Sequence, residues 1–294
     1  MPKKILLIGG NSIIGSKFVD HFHNNNIVFR STFFQHPTND ESKVFLDIQN
    51  QSNVEKIFTE IQPDVVIHTS ALSAIDKCET DREMAYSINV KGTENILKAC
   101  ENNSVKIVYV STNAVFDGTK NEYFEDDQTN PVNYYGKTKL IGEQKIQDSK
   151  CDYLILRTDQ PYCWIEKWQR VNSVIRLLNK FSENKLHKEV TDWYNKPTFV
   201  PNFVENTMKL IDTNAAGIFH AVGGDFISRL DWCMILCDIF DLDKSKILQI
   251  SSQDLNLPAK RSNVNLNNEK ITKKTGIPMV GVRQGAQLMF NERY

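Results

Sequence analysis

The chain has 294 residues, and 40% hydrophobic with 24% charged residues is the composition of a globular protein with a sizeable core. Its 35 lysine and arginine residues nearly balance 36 aspartate and glutamate residues, which leaves no net positive field to attract nucleic acid or an anionic membrane. The first apolar run is too short for a secretory signal, and no stretch approaches about twenty apolar residues. We therefore expect a cytoplasmic protein with neither nucleic acid nor membrane as a partner.

The six cysteines show no CxxC motif and no clustering with the six histidines. Cys233 and Cys237 lie one helical turn apart inside LDWCMILCDIF, which reads as an amphipathic helix. Burial as small apolar residues accounts for this pair, with a metal or redox role as the alternative. The sequence predicts reduced thiols and no disulfide framework.

The first predicted strand, residues 4–8, runs into the glycine-rich turn GGNSIIG, and a helix is expected over residues 13 to about 24. In a dinucleotide-binding turn, the glycines allow a sharp bend, close approach of the pyrophosphate and packing of helix on strand. Gly9 and Gly15 fit the first and third positions, whereas Ser12 stands at the second. An ordinary strand-to-helix loop is the alternative. The residues expected to contact the cofactor here are Gly9, Asn11, Ser12, Ile13, Ile14 and Gly15.

The second predicted strand, residues 27–33, should end where an acid binds the adenine ribose of NAD. The positions there are Phe34, Gln35 and His36, and the missing acid favours NADPH. No arginine lies there to hold a 2′-phosphate, so the choice between NADPH and NADH stays open.

After a third short strand, Asp47 and Ile48 are further candidate cofactor contacts, and a helix is predicted over residues 51–61. Asp47 can accept a hydrogen bond from the adenine amino group, or it can stabilise the start of that helix without a ligand. Residues 64–68 form a continuous apolar strand typical of the middle of a parallel sheet. The small residues after it add the candidates Ser70, Ala71 and Leu72.

A long helix with Asn89 inside it is predicted over residues 83–102, and the next buried strand over residues 105–110. The carboxyl end of such a strand is the edge where open α/β sheets bind ligands. The side chains delivered to that edge are Ser111, Thr112, Asn113 and Ala114.

The stretch PVNYYGKTKLIGE places Tyr135 four residues before Lys139, in a helix predicted from residue 135 to about 148. The two side chains share one helix face, one turn apart. A neighbouring ammonium favours the phenolate, so we expect Lys139 to lower the pKa of Tyr135 from its usual value near 10. A chance pair on a solvated helix face is the alternative. A strand over residues 153–157 follows, and the alternation predicts a parallel, doubly wound α/β sheet.

Beyond Pro161 the regular alternation of strands and helices ends, and loops rich in aromatic residues follow. Trp164 is one of these aromatic residues. Such side chains can stack a nucleotide base or a sugar face, or they can anchor a loop in the core. A helix over residues 201–211 and a strand over residues 217–222 are predicted to return to the sheet.

The ordered set of the glycine turn, STNAVFDG, YYGKTKLIGE and ILRT resembles the extended short-chain dehydrogenase/reductase family, and more narrowly its dTDP-4-dehydrorhamnose reductase group. IDKCE and PAKRSNVNLNNEK are also similar to that group. The resemblance implies a Rossmann-type doubly wound sheet with a smaller C-terminal substrate-binding cap. Residues 1–160, joined by 198–224, would bind the dinucleotide, and residues 161–197 and 225–294 would form the substrate-binding region.

The same resemblance implies an NAD(P)H-dependent reductase of a nucleotide-linked 4-keto-6-deoxy sugar. Tyr135 would be the general acid, Lys139 would tune it and hold the nicotinamide ribose, and Thr112 would hydrogen-bond the substrate oxygen. Ser111 would contact the cofactor. Arg261, in a polar loop with Lys260, would hold the substrate diphosphate, with a solvated charge as the alternative. The residues expected to contact the substrate are Thr112, Asn113, Ala114, Tyr135, Trp164 and Arg261.

At two positions the chain differs from related enzymes, and these differences limit the reactions that we expect. Asn113 and Ala114 stand where the related 4,6-dehydratases carry Asp-Glu, so elimination lacks its acid and base. Ala114 also stands where related epimerase-reductases use a cysteine to remove a proton, so epimerisation is not expected. The nucleotide and the sugar stay open. The alternative function is a non-catalytic, NADP-binding regulatory subunit like the β subunit of methionine adenosyltransferase, and a homodimer is a candidate assembly.

Overall fold

The computed structural model describes residues 3–37 and 40–292. In chain order the strands are β1 (Ile5–Ile8), β2 (Phe29–Phe33), β3 (Lys43–Phe45), β4 (Val65–His68), β5 (Lys106–Thr112), β6 (Tyr153–Thr158), β7 (Pro161–Tyr162), β8 (His187–Val190), β9 (Tyr194–Asn195), β10 (Thr198–Phe199), β11 (Gly217–His220), β12 (Ile227–Ser228) and β13 (Ile247–Ile250). The α-helices are α1 (Ile13–Asn24), α2 (Gln51–Ile61), α3 (Ile75–Thr80), α4 (Arg82–Tyr86), α5 (Gly92–Asn103), α6 (Tyr134–Gln147), α7 (Ser173–Ser182), α8 (Val200–Asp212), α9 (Arg229–Ile239), α10 (Glu269–Thr275) and α11 (Val282–Asn291).

Seven strands form one parallel sheet in the order β11-β6-β5-β4-β1-β2-β3. From β1 the chain adds β2 and β3 on one side, then crosses back to add β4, β5 and β6 on the other. This reversal creates the crevice at the carboxyl ends of β1 and β4 where doubly wound folds bind ligands. The predicted Rossmann-type fold is confirmed, and the predicted return of the chain to the sheet is β11, which pairs with β6.

Helices cover both faces of the sheet, which explains why its central strands are apolar along their whole length. On one face α1 and α8 pack against each other, and Phe18 meets Phe203 edge to face with ring centroids 6.4 Å apart. On the other face α2 and α5 enclose Phe58 and Ile96, which are 1% and 0% exposed.

The helices begin where polar side chains satisfy their first free N–H groups. The side chain of Ser12 accepts from the N–H of Gly15 at the start of α1, and Asn133 does the same for Gly136 at the start of α6. These caps fix the first turns of the two helices that carry the predicted cofactor and reaction groups.

Two differences between the predicted and observed elements concern the region of the site. The helix predicted over residues 83–102 is divided into α4, a π-helical turn over Ser87–Lys91, and α5. The strand predicted to end at Val110 continues to Thr112, because Ser111 and Thr112 pair with Arg157 and Thr158 of β6. Both differences lie beside the predicted site.

The C-terminal region has a core of its own. Short strand pairs β7 with β10, β9 with β12 and β8 with β13 surround it with α7, α9 and α11. Trp232 and Phe240 are buried there, as are Cys233 and Cys237, so the predicted burial of this cysteine pair is confirmed. All six cysteines are free thiols. The division of the chain at residue 160 stays a prediction. Among the described residues, no helix has both the length and the apolar character needed to cross a membrane.

Candidate active site

The end of β5 and the first turn of α6 bring two of the predicted reacting groups together. Thr112 is 6% exposed, and its hydroxyl accepts a hydrogen bond from the N–H of Ala114 at 3.2 Å. The same hydroxyl lies close enough to the Tyr135 phenol to lower its pKa. Asn113 lies beside it, with its Oδ1 3.2 Å from the Thr112 hydroxyl. Thr112 and Tyr135 therefore share one site.

Gly136 makes this close approach possible. A Cβ at Gly136 would lie 2.1 Å from the carbonyl oxygen of Ala114, far inside van der Waals contact. Only a glycine allows α6 to touch the turn after β5 at this point. Because Gly136 follows Tyr135 directly, this contact sets the distance between Tyr135 and Thr112.

The Tyr135 phenol is protonated at neutral pH. The pKa of Tyr135 is raised to about 12, mainly by burial and also by the nearby Cys78 thiol, while the Thr112 hydroxyl and the charge of Arg170 act in the opposite direction. The prediction that Lys139 lowers this pKa is wrong in this structure, since desolvation outweighs the neighbouring charges. A protonated phenol is the state that a general acid needs.

Lys139, one turn along α6 from Tyr135, is buried, with 2% of its surface exposed and its Nζ 3.9 Å from the centroid of the Tyr109 ring. Burial lowers the pKa of Lys139 to about 7, and the Glu143 carboxylate one turn further along α6 opposes this shift. Burial and the charge of Lys139 lower the pKa of His68 to about 3, so that ring is neutral. Lys139 can therefore gain or lose a proton near neutral pH.

A buried ion pair supports the floor of the site. Glu143 is 0% exposed and Arg157 is 2% exposed, and the Arg157 guanidinium donates to both carboxylate oxygens, with Nη2 2.7 Å from Oε2. The Ser111 hydroxyl also donates to Glu143. Ser111, expected to contact the cofactor, thus turns its side chain into this network. The sequence shows both charges but gives no sign that they pair.

Asn89 joins the loop after β4 to the reaction helix. It lies in the π-helical turn, 1% exposed, and its Oδ1 accepts from the N–H of Leu72 at 2.8 Å. Its Nδ2 donates to the Thr138 hydroxyl at 3.0 Å. Single π-helical turns are often found at functional sites. The predicted cofactor loop and Tyr135 are therefore held in one fixed arrangement.

The glycine turn predicted to hold the cofactor is a tight turn from β1 into α1. Gly9 has φ +88°, a conformation that favours glycine, and a Cβ at Gly15 would lie 2.1 Å from the carbonyl oxygen of Gly9. Ser12, at the position of the second glycine, caps α1 and lies 3.0 Å from the Thr69 hydroxyl. Ile14 is buried and Ile13 packs beside the core, so their side chains anchor the first turn.

Lys43 is a candidate cofactor residue that the sequence reasoning missed. Its Nζ lies 2.9 Å from Oδ1 of Asn11, whose amide also donates to the carbonyl of His36 at 2.7 Å. Lys43 begins β3, so the parallel pairing of β3 with β2 carries a cation to the place where no arginine was found. The register of β3 on β2, which the sequence does not specify, was the missing signal.

The other predicted cofactor residues line the same edge of the sheet. The Asp47 carboxylate accepts from the N–H of Gln49 at 2.9 Å, and Ile48 is buried against Gly92. Ser70 lies beside Gly9, where an added Cβ would be 2.5 Å from its hydroxyl oxygen. The partly exposed Ala71 follows.

A segment over residues 166–171 bridges the two sides of this crevice. Gln169 Nε2 donates to the carbonyl of Asn11 at 3.0 Å, on the glycine turn. Arg170 Nη1 donates to the carbonyl of Ser73 at 2.6 Å, in the loop after β4. The segment therefore crosses the crevice between the carboxyl ends of β1 and β4, where a dinucleotide is expected.

This arrangement can be compared with known proteins. The model of the protein family described as the RmlD substrate binding domain matches residues 3–294. The chain belongs to this family. The match spans both the sheet and the C-terminal region, so it covers the whole predicted architecture.

Curated relatives agree with the family match. The dTDP-4-dehydrorhamnose reductase of Salmonella typhimurium is 28% identical over 263 residues, which cover 84% of this chain and 86% of that protein. Methionine adenosyltransferase 2 subunit beta of Xenopus tropicalis is 28% identical over 251 residues, covering 82% of this chain and 75% of that protein. The predicted resemblance to the dTDP-4-dehydrorhamnose reductase group is confirmed.

Solved structures give the same result. A crystal structure of dTDP-4-dehydrorhamnose reductase from Bacillus anthracis in complex with NADP has a TM-score of 0.89 at 25% identity, covering 99% of this chain and 100% of that one. A UDP-glucose 4-epimerase from Thermus thermophilus in complex with NAD shares the fold, with a TM-score of 0.86 at 18% identity and 98% coverage of each chain.

In this member of the RmlD family, two residues predicted to contact the substrate, Trp164 and Arg261, make contacts with other residues of the protein. Trp164 packs against Phe240 in the C-terminal core, and its indole N–H donates to the carbonyl of Met289 at 2.7 Å. Its contact with the substrate stays a prediction. Arg261 donates to Oδ2 of Asp76 at 2.7 Å. A diphosphate would have to compete with Asp76 for this guanidinium or share it.

Proposed function

We propose that this chain reduces the 4-keto group of a nucleotide-linked 4-keto-6-deoxy sugar, with Tyr135 as the general acid. The chain is an NADPH-dependent oxidoreductase of the sugar-nucleotide reductase type, as its family and its relatives indicate. The observation that carries the finer proposal is the approach of Thr112 to a protonated Tyr135, on the helix that also carries the buried Lys139 one turn further along.

The glycine turn fits a dinucleotide. The first N–H groups of a helix have no partners inside it, and Ser12 satisfies only that of Gly15. Those of Ile13 and Ile14 point from the positive end of α1, where phosphate oxygens bind favourably. Lys43 would hold the 2′-phosphate that distinguishes NADPH from NADH. When bound, NADPH supplies the hydride.

The residues at the end of β5 and on α6 then handle charge and proton. As the carbonyl carbon accepts hydride, negative charge grows on its oxygen, and the Thr112 hydroxyl donates a hydrogen bond to it. The Tyr135 hydroxyl transfers its proton to the same oxygen, which completes the alcohol. The phenolate left behind is stabilised by protonated Lys139 one turn away and recovers its proton from solvent.

Turnover tests the proposal directly. The purified protein with NADPH and a dTDP- or UDP-linked 4-keto-6-deoxyhexose should oxidise the cofactor. Tyr135→Phe should lower kcat by about two to four orders of magnitude, the usual range for general acid catalysis. Tyr134→Phe is the matched control, because Tyr134 is the adjacent phenol and packs against Arg82. Unchanged turnover of the Tyr135→Phe protein would refute the assigned role.

A second candidate is a non-catalytic regulatory subunit, which the Xenopus tropicalis relative supports at the same 28% identity as the Salmonella reductase. The Thr112, Tyr135 and Lys139 group favours the enzyme, because a subunit that only binds has no need of a protonated phenol there. Co-purification of a stoichiometric enzyme partner, with no turnover of any keto sugar, would reverse the choice. The homodimer and the cytoplasmic location stay predictions.

A further inference from the structure

Three metal-binding groups converge in the C-terminal region. An imidazole nitrogen of His187, a carboxylate oxygen of Glu189 and the sulfur of Cys233 all lie within 4.8 Å of one another. The three residues are 4%, 8% and 2% exposed. None of them takes part in the proposed reaction.

Two secondary-structure elements build this convergence. Residues two apart on a strand point to the same face, and on β8 His187 and Glu189 point inward while Lys188 between them is exposed. Cys233 lies on α9, which packs against β8. Cys237, 1% exposed, is one helical turn further along α9, on the same helix face as Cys233. Nitrogen, oxygen and two sulfur donors are therefore neighbours.

Charge balance allows a divalent ion at this place. The guanidinium of Arg229 already lies against Glu189, with Nε 3.3 Å from Oε1 and Nη2 3.3 Å from Oε2. Two thiolates and one carboxylate carry three negative charges, and Arg229 with a divalent ion carries three positive ones. A neutral cluster is the condition under which charged groups are buried at acceptable cost.

We propose that His187, Glu189, Cys233 and Cys237 bind one zinc ion that ties β8 to α9. Zinc prefers four ligands of these types in structural sites. In the metal-free arrangement His187 Nε2 lies 3.2 Å from Oε2 of Glu189, and the ion replaces this contact. Binding breaks two S–H bonds, forms two Zn–S bonds and releases two protons to solvent. Arg229 keeps Glu189 Oε1 as a partner outside the ion's ligand sphere.

Cobalt substitution reports directly on the ligands. The reduced, chelator-treated protein is titrated with CoCl2 without oxygen until the absorbance is constant. We expect a near-ultraviolet thiolate-to-cobalt band that saturates at one ion per chain and is displaced by zinc. Cys233→Ser should abolish the band and Cys237→Ser should reduce it by about half. Cys100→Ser, a buried cysteine in the other core, should leave it unchanged.

Two measurements on the unsubstituted protein complete the test. Zinc binding in weak buffer should release about two protons per ion. At about a hundredfold excess over its Kd, zinc should raise the Tm by roughly 5 °C. A missing cobalt band, a band that survives in folded Cys233→Ser protein, or zinc addition without proton release would each overturn the proposal.

Discussion

Substitution of Gly136 should separate catalysis from stability. The added Cβ in Gly136→Ala would lie 2.1 Å from the carbonyl oxygen of Ala114, whereas real Cβ contacts below 3.0 Å are essentially never seen. Helix α6 must therefore withdraw from the end of β5 by about 1 Å. A misplacement of that size at a reacting group costs about a hundredfold in rate. Overpacking costs about 1–3 kcal/mol, which the better helix propensity of alanine partly offsets.

We expect kcat/KM for the keto sugar to fall about a hundredfold while the Tm falls by only a few degrees and NADPH affinity changes little. NADPH oxidation, thermal unfolding and cofactor titration measure the three quantities. Lys137→Ala is the matched control, because Lys137 is the next residue of α6 and is exposed. Wild-type kcat/KM in a folded Gly136→Ala protein would refute the claim that this contact sets the spacing of Tyr135 and Thr112.

Three further substitutions test the surroundings of the site. Lys139 has a pKa of about 7 in the folded chain and 10.5 in the unfolded chain. Between these two pH values only the unfolded chain keeps the proton on Lys139, so the free energy of unfolding rises with pH. Wild type should therefore gain about 2 kcal/mol over Lys139→Met between pH 7 and 9 in denaturant titrations, and parallel pH curves would contradict this. Lys43→Ala should raise the KM for NADPH roughly tenfold and leave that for NADH unchanged, since only the former has a 2′-phosphate; equal effects on both would exclude the assignment. Ser12→Ala should lose the cap of α1, costing about 1 kcal/mol of unfolding free energy and weakening cofactor binding. Ser16→Ala, inside the same helix, serves as its control, and equal losses in both would show that capping is not the cause.

Local signals account for what the sequence predicts well. Apolar periodicity and the residues Ser12 and Asn50, which cap α1 and α2, define both helices, so their predicted bounds agree with the structure. The order of strands and helices likewise implies the parallel sheet, because each crossover must run between parallel neighbours.

Other features depend on contacts that the sequence does not specify. The pKa of Tyr135 is raised mainly by burial among surrounding elements. The sequence shows only that Lys139 lies one helical turn away, and a neighbouring ammonium would lower the pKa. Lys43 reaches the cofactor edge through the register of β3 on β2. From the sequence, Trp164 is only an aromatic residue in a predicted loop. Its packing against the C-terminal core depends on where α11 lies, which the sequence does not specify.

Strand β11 lies far along the sequence from its partner β6, which has a consequence for truncated forms of the chain. A fragment ending at residue 160 would lack the strand that pairs with four residues of β6, which would become an open edge. It would also lose Phe203 and Val204 of α8, uncovering the apolar face of α1 around Phe18. An unpaired edge beside exposed apolar surface promotes self-association. The half that is predicted to bind the dinucleotide should therefore aggregate when expressed alone.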